Sequence, residues 1–331
     1  MNLTLHSRFS RHFGLSTPIA LAPMALASGG ALAAACAQAG ALGLVGGGYG
    51  ELDWTQREYG LAQELAADST RIGCGFIVWK LDEDASALDW VLERKPRAIM
   101  LSFGDPRPYA KRIAASGAEL LFQLHRLEQL PMALEAGASV IIGQGGEAGG
   151  HGMNALNSRA TISFIPELAD RLAADSPTTL LLAAGGIADG RTLAAARVLG
   201  ADGALVGSRL WATRESLAAP GAKAQATEVT GDATARSSVF DILRHKNWPE
   251  PYDFRAIRNA IHRRWEDRID ALRASPDAAR ADYEAGVKAG DFSRAHATVG
   301  ESVGLIRDLP PAAELVARMS REARAILEPA A

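Results

Sequence analysis

Eight short apolar runs, each followed by a stretch with helical character, occupy the first two thirds of this 331-residue chain. The runs are continuously apolar rather than alternating, which is typical of parallel strands that are buried on both faces. Strands that alternate with helices indicate βαβ units and a parallel sheet. Eight such units can close into a barrel, so we predict an α/β fold of the TIM (β/α)8 type. The predicted strands cover residues 18–24, 42–45, 71–78, 98–101, 119–123, 139–142, 179–183 and 203–206.

A doubly wound open sheet is the alternative arrangement of these units. Such a sheet normally carries a G-x-G-x-x-G turn after its first strand. No such turn follows Met24, and the glycine run at 46–48 does not fit the pattern. The barrel is therefore favoured. Its predicted helices cover residues 30–39, 55–67, 84–94, 106–116, 127–136, 162–174 and 190–199.

The alternation of strand and helix ends near Trp211. Residues 214–331 contain helical stretches, such as 252–267 and 311–327, and no convincing strand. This segment is too long to be the eighth barrel helix alone. We therefore expect residues 1–213 to form the barrel core. Residues 214–331 are expected to form a helical addition over the C-terminal mouth, with a closing helix, within the same enzyme unit.

The apolar stretch 18–45 follows Arg8, Arg11 and His12 and has the order of charges found in a secretory signal. Several prolines and glycines interrupt it, whereas a membrane span needs about 20 uninterrupted apolar residues. The interruptions divide the stretch into strand, helix and strand. We therefore expect a cytoplasmic protein without a membrane partner.

Charge and cysteine content exclude further classes of protein. The net charge is −3 and the pI is near 6.2, so no basic face for nucleic acid is expected. Hydrophobic residues make up 48% of the chain, which suits a large core. The two cysteines, Cys36 and Cys74, lack the spacing of a disulfide framework or a zinc site. We expect two buried thiols and no metal.

A glycine pair follows the seventh predicted strand, and a glycine and a serine follow the eighth. These are Gly185-Gly186 and Gly207-Ser208. In such barrels the loops after strands seven and eight commonly hold phosphate. Glycine allows close backbone approach, and free N–H groups at a helix start, here near Asp189, suit an anion. We expect a phosphate site, with ordinary tight βα turns as the alternative.

The loop after the sixth strand is rich in glycine and reads GQGGEAGGHG at residues 143–152. Such a sequence indicates backbone that turns sharply or packs against a ligand. An unperturbed imidazole titrates in the range that suits proton transfer near neutral pH, so His151 is a candidate acid or base. A surface-loop histidine is the alternative. Glu147 is expected to brace its own loop rather than act as an acid or base.

These motifs resemble those of nitronate monooxygenases, formerly called 2-nitropropane dioxygenases. The signature loop of that family is similar to QGGEAGGHG at 144–152. The resemblance extends over nearly the whole chain. Its other parts are APM at 22–24, AAGGIADG at 183–190, VGSR at 206–209, TxES at 213–216, DILRHKNWPxPY at 241–252 and VGLIRDLPPA at 303–312.

The resemblance implies non-covalently bound FMN, with its phosphate on the residues that follow strands seven and eight. This sequence departs from the family after strand three, where Gly75 stands at the position of a frequent asparagine. The implied cofactor-binding residues are Ala22, Pro23, Met24, Gly75, Gln123, Gln144, Gly149, Gly150, Gly185, Gly186, Gly207 and Ser208.

The implied reaction is oxidation of a nitronate or nitroalkane by O2 to a carbonyl compound and nitrite, with His151 as the catalytic base. An NAD(P)H-dependent flavin reductase on the same scaffold, of the enoyl-acyl-carrier-protein or NADH:quinone type, is the first alternative. A phosphate-binding barrel without redox chemistry is the second. The oligomeric state stays open, and a homo-oligomer is compatible with the sequence. Candidates for the pocket wall are Tyr49, Phe76, Trp79, Phe103, His125 and Trp248.

Overall fold

The computed structural model describes residues 3–329, and its centre is an eight-stranded parallel sheet. The strands follow the order β1-β9-β8-β6-β5-β4-β3-β2, and a parallel bridge between Ala20 and Leu42 joins the two ends of the sheet. The predicted barrel is thereby confirmed. The strands are β1 (Ile19–Leu21), β2 (Gly43–Gly48), β3 (Ile72–Ile77), β4 (Ala98–Ser102), β5 (Glu119–Leu124), β6 (Val140–Gln144), β7 (Gly150–Met153), β8 (Leu180–Ala184), β9 (Gly203–Val206), β10 (Thr234–Ser237) and β11 (Tyr252–Ile257).

Helices surround the barrel and form most of the C-terminal addition. Each of the predicted barrel helices is present, with ends shifted by a few residues. The helices are α1 (Arg8–Phe13), α2 (Gly30–Gln38), α3 (Leu52–Leu65), α4 (Val78–Leu81), α5 (Ser86–Leu92), α6 (Arg107–Ser116), α7 (Leu130–Glu135), α8 (Thr161–Asp175), α9 (Gly190–Val198), α10 (Ser208–Trp211), α11 (Pro220–Ala226), α12 (Val239–Leu243), α13 (Ala260–Trp265), α14 (Ile269–Ala274), α15 (Asp277–Ala289) and α16 (Ala312–Leu327).

Helix α16 completes the ring of helices around the barrel. It packs against α9 on one side and α2 on the other, so it fills the gap between the last and first βα units. The expected closing helix is therefore present. Residues between α10 and α16 form an insertion that faces the C-terminal ends of the strands. The proposed division at residues 213 and 214 stays a prediction.

Helix α1 was not predicted. Its aromatic side chains pack into the interior of the barrel. Its Phe9 and Phe13 belong to the apolar cluster that fills the barrel interior, together with side chains such as Leu42 and Leu121. Ser7 and Ser10 form a capping box at its start, and Gly14 ends it in the left-handed conformation. Those capping residues were visible in the sequence. The helix has only six residues, too few to show a helical period.

A second sheet in the addition corrects the sequence interpretation. Strands β10, β11 and β7 form an antiparallel sheet in that order, although no strand was expected after residue 214. The predicted helix at 252–267 begins as β11, and only its later part is helical. The sequence YDFRAI alternates apolar and polar side chains at 252–256, which is the period of a strand. The helical interpretation overlooked that alternation.

None of the helices between residues 3 and 329 is both long and apolar enough to span a bilayer.

The packing of α1 into the barrel interior should contribute measurably to stability. Phe9 is fully buried, so Phe9→Ala should lower the free energy of unfolding by roughly 3–5 kcal/mol, through lost burial and the cavity that remains. Urea denaturation followed by circular dichroism would measure this. The control is Leu156→Ala, because Leu156 is 95% exposed, and it should change stability by less than about 0.5 kcal/mol. Equal effects of the two substitutions would contradict the role of α1.

Candidate active site

A cavity of about 500 Å³ lies at the C-terminal ends of the barrel strands. Its walls come from the C-terminal ends of the eight barrel strands, from the segments that follow them, and from the insertion. The structure brings all of the sequence-predicted site residues to this one cavity, which is where a barrel enzyme carries its chemistry. They are Ala22, Pro23, Met24, Gly75, Gln123, Gln144, Gly149, Gly150, His151, Gly185, Gly186, Gly207 and Ser208.

The glycines after β8 and β9 leave backbone open to the cavity. Gly185 and Gly186 have φ values of 98° and 76°, which side chains rarely adopt. A Cβ atom added to Gly207 would meet Ala22 Cβ at 3.7 Å and Met24 Sδ at 3.9 Å as its nearest neighbours. A single methyl group added at Gly207 would thus extend into the cavity and would not overlap neighbouring protein atoms. The absence of side chains at Gly186 and Gly207 leaves room for a ligand against the main chain, whereas a side chain at Gly185 would meet the Gly145 carbonyl oxygen at 3.0 Å.

One part of the expected phosphate site is wrong. The N-terminal N–H groups of α9 were expected to be free for an anion, but the protein itself uses them. Asp189 accepts a hydrogen bond from Thr192 N at 2.9 Å, and Glu322 accepts one from Gly190 N at 3.0 Å. An anion there would face two carboxylates. The strand-end glycines and Ser208 stay the predicted phosphate contacts.

Gly75 lies against Pro23. A Cβ atom at Gly75 would lie 2.2 Å from Pro23 Cγ, which is far inside van der Waals contact. An asparagine at this position would therefore collide with Pro23 as it is placed here. Gly75 thus lets β3 pack closely against the segment after β1.

His125 is a supporting residue behind the cavity and not part of its wall. It is 3% exposed, and burial lowers the pKa of its imidazole to about 4, so the ring is neutral. Its Nε2 lies 2.8 Å from Gln144 Oε1 and 3.4 Å from Gln123 Nε2. With Nε2 as donor, the ring holds the carbonyl end of the Gln144 amide. Of the wall candidates, Tyr49, Phe76, Phe103 and Trp248 line the cavity, whereas Trp79 and His125 do not.

His151 lies on strand β7 and not in an irregular loop. Its backbone pairs with Phe254 of β11, so the glycine-rich segment is tied to the insertion. The imidazole stacks on the indole of Trp248, with 3.4 Å between ring centroids and 12° between planes. Phe254 packs against the ring at 4.8 Å. The alternative of a surface-loop histidine is thereby excluded.

The Nε2 atom of His151 lies 2.9 Å from Asp241 Oδ1, and both side chains are less than a tenth exposed. Burial lowers the pKa of His151 well below its usual range, and Arg244 and Arg236 lower it further. Burial raises the pKa of Asp241 to about 7, against the effects of Arg244 and Lys246. Since an imidazolium is disfavoured here, His151 is neutral and can accept a proton.

Other polar residues of the cavity escaped the sequence analysis. Arg244 and His296 both line it, and both come from the insertion. His296 Nδ1 lies 2.7 Å from the Tyr283 hydroxyl, and burial lowers the pKa of His296 to about 3. Asp241 and Arg244 fall within the 241–252 segment that resembles the family, so a signal existed for them. His296 follows no motif that we could identify.

Two charged residues hold the glycine-rich segment in shape. Arg236, on β10, donates hydrogen bonds to the carbonyl oxygens of Ala148 at 2.6 Å and Gly150 at 3.0 Å. The carboxylate of Glu147 accepts from Thr161 N and from Thr161 Oγ1 at 2.7 Å. The expectation that Glu147 braces its loop is therefore confirmed. Among residues 3–329, acidic, histidine and cysteine side chains form no cluster suited to a metal ion.

The fold and this cavity define a (β/α)8-barrel enzyme with a buried, neutral histidine at the strand ends. The family model for nitronate monooxygenase matches residues 62–322. A nitronate monooxygenase of Neurospora crassa is 31% identical, over 92% of this chain and 88% of its own length. One from Metarhizium robertsii is 33% identical, over 92% and 90%. The chain therefore belongs to the nitronate monooxygenase family and is a flavin-dependent oxidoreductase.

Solved structures agree with this assignment. A nitroalkane oxidase from Streptomyces ansochromogenes is 26% identical, with a TM-score of 0.78 over 95% of this chain and 98% of that one. FabK from Thermotoga maritima has a TM-score of 0.82 over 98% of both chains, at 24% identity. At that identity the likeness to FabK shows the shared barrel fold.

The buried guanidinium of Arg236 gives a prediction about the site's framework. Arg236→Met removes the donors to at least two buried carbonyl oxygens and should destabilise the protein by roughly 2–4 kcal/mol. Thermal unfolding of the variant would measure the loss. Arg126→Met is the control, since Arg126 pairs with Glu128 at the surface, and its melting temperature should stay close to wild type. An Arg236 variant as stable as this control would contradict the assigned role.

Proposed function

We propose that this chain uses FMN to oxidise alkyl nitronates with O2 to a carbonyl compound and nitrite. His151 also serves as the base for neutral nitroalkanes. The observation that carries the proposal is a neutral, buried histidine that shares one cavity with the open glycine backbone after β8 and β9. The names of the relatives, nitronate monooxygenase and nitroalkane oxidase, support the same substrate class.

The cavity fits FMN. The phosphate would lie on Gly185, Gly186, Gly207 and Ser208, where the backbone is open and Ser208 adds a hydroxyl. The ring system would pass Met24 and the amides of Gln123 and Gln144, which line the same cavity. When bound, the flavin accepts electrons from the nitronate and passes them to O2.

The residues of this chain bind the substrate and handle its proton. His151 Nδ1 is the ring nitrogen not engaged by Asp241, and it is the proposed acceptor of the α-proton of a nitroalkane. Trp248, Phe254 and Phe103 enclose the imidazole and exclude water from it. The Arg244 guanidinium lines the cavity and supplies positive charge for an anionic nitronate.

The role of His151 is tested by replacing it. His151→Ala should lower kcat/KM for a neutral nitroalkane by roughly 10²–10⁴-fold, because proton removal loses its base. Activity with ethylnitronate, which is already ionised, should fall far less. Nitrite release and oxygen uptake would be measured with both substrates. His12→Ala, on α1 at the opposite end of the barrel, should match wild type with both. Undiminished nitroalkane turnover in the His151 variant would rule out the base role.

The phosphate position is tested at Gly207. Gly207→Ala adds a methyl group that meets no protein atom within 3.7 Å, so the fold should tolerate it. The methyl group would occupy the space proposed for the phosphate, and FMN affinity should fall about tenfold or more, equivalent to about 1.4 kcal/mol. Quenching of FMN fluorescence by the apoprotein gives the dissociation constant. Gly60→Ala, on α3 and facing open space, should leave it unchanged. Wild-type affinity in the Gly207 variant would place the phosphate elsewhere.

A further inference from the structure

The contact between His151 and Asp241 decides which ring nitrogen can act in the cavity. His151 comes from β7 and Asp241 from α12, ninety residues later in the chain. Nε2 points to Asp241 Oδ1 at 2.9 Å, so Nδ1 is the nitrogen left for a substrate. An ionised carboxylate can only accept a hydrogen bond. With Asp241 ionised, Nε2 must carry the proton, and Nδ1 keeps its lone pair.

The Asp241 carboxylate is only half satisfied by hydrogen bonds. Its side chain is 4% exposed, and its Oδ2 atom has no hydrogen-bond partner among residues 3–329. A buried carboxylate with an unsatisfied oxygen costs free energy, and an apolar or amide side chain would cost less. A costly buried acid beside a cavity histidine is typical of a functional site. The half-satisfied carboxylate therefore points to a role in positioning His151.

The charged and titratable groups around the pair favour an ionised carboxylate. Arg244 and Lys246 follow Asp241 on its own segment and lower its pKa, against burial, which raises it to about 7. The other groups that face the pair are Arg236 from β10, Asp253 from β11, His296 from the segment after α15, and Tyr49 from the segment after β2. Arg236 and Arg244 both oppose a positive charge on His151. The carboxylate form of Asp241 therefore prevails above about pH 7.

We propose that Asp241 is a positioning residue that holds His151 as the Nε2–H tautomer, with Nδ1 turned to the cavity as the proton acceptor. The proposal rests on the function proposed above. A nitroalkane loses its α-proton to Nδ1, and the electron pair of the broken C–H bond forms the C=N bond of the nitronate. The resulting imidazolium lies between the nitronate and the Asp241 carboxylate, which balances its charge. Asp241 therefore affects the turnover of nitroalkanes, which must lose a proton, and not the turnover of nitronates.

The tautomer can be observed directly. The FMN-loaded protein, with ¹⁵N in its histidine rings, would give a two-bond ¹H–¹⁵N correlation spectrum at about pH 8. The His151 signals would be assigned by their loss in His151→Gln. We expect a protonated Nε2 and an unprotonated Nδ1 in wild type, and a mixture of tautomers in Asp241→Asn. A protonated Nδ1 in wild type, or an unchanged tautomer in Asp241→Asn, would overturn the proposal.

Kinetics separate positioning from simple support of the fold. Asp241→Asn should lower kcat/KM for a neutral nitroalkane about a hundredfold or more, with ethylnitronate within about threefold of wild type. The nitroalkane rate of wild type should rise with pH through about 7 as Asp241 ionises, and the variant should lose that rise. The control is Asp277→Asn at the start of α15, where the carboxylate is 95% exposed, and it should leave both activities unchanged.

The outcomes distinguish this proposal from the proposed function. Equal losses with both substrates, or loss of bound FMN, would show that Asp241 has a purely structural role and would refute positioning. Unchanged kinetics in Asp241→Asn would refute it as well. If wild type released no nitrite from either substrate, the proposed function would fail. The ring-nitrogen spectrum would still show whether Asp241 sets the tautomer.

Discussion

The antiparallel pairing of β7 with β11 is the contact on which the candidate site depends. It joins the segment after the sixth barrel strand to an insertion about one hundred residues later. The register sets His151 opposite Phe254 and brings Trp248 and Asp241 onto the imidazole. Without this pairing the glycine-rich segment would be an open loop, and its histidine would titrate in water. The strand ends of the barrel form one side of the cavity, and the small antiparallel sheet covers the other.

Burial of His151 under the small sheet has an electrostatic consequence. A histidine enclosed by aromatic rings and flanked by Arg236 and Arg244 is held neutral, which is the form that a base requires. Arg244 also lines the cavity, where its positive charge would favour an anionic product. Arg244 thus helps to keep the imidazole uncharged, and it would also stabilise the negative charge of a bound nitronate. Because these side chains belong to the insertion, the chemistry depends on residues outside the barrel core.

Much of the fold could be predicted from sequence because buried parallel strands are continuous apolar runs, and their order along the chain fixes where their ends meet. The cavity residues at the ends of β1, β5, β6, β8 and β9 were therefore named without a structure. The small sheet could not be found in that way, since β7 consists of GHGM and pairs with a distant strand. The alternation in β11 was a local signal that the helical interpretation overlooked. Asp241 and His296 reach the site only through tertiary packing, and the spacing of residues along the sequence gives no signal of such contacts.

In the function proposed above, nitronates rather than a nicotinamide supply electrons to the flavin in this cavity. The most direct measurement mixes the FMN-loaded protein with ethylnitronate, and separately with NADH, in the absence of oxygen, while the flavin absorbance is followed. We expect rapid loss of the oxidised-flavin band with ethylnitronate and no change with NADH. Rapid bleaching by NADH, with no response to the nitronate, would contradict the proposed function and indicate a flavin reductase built on the same barrel.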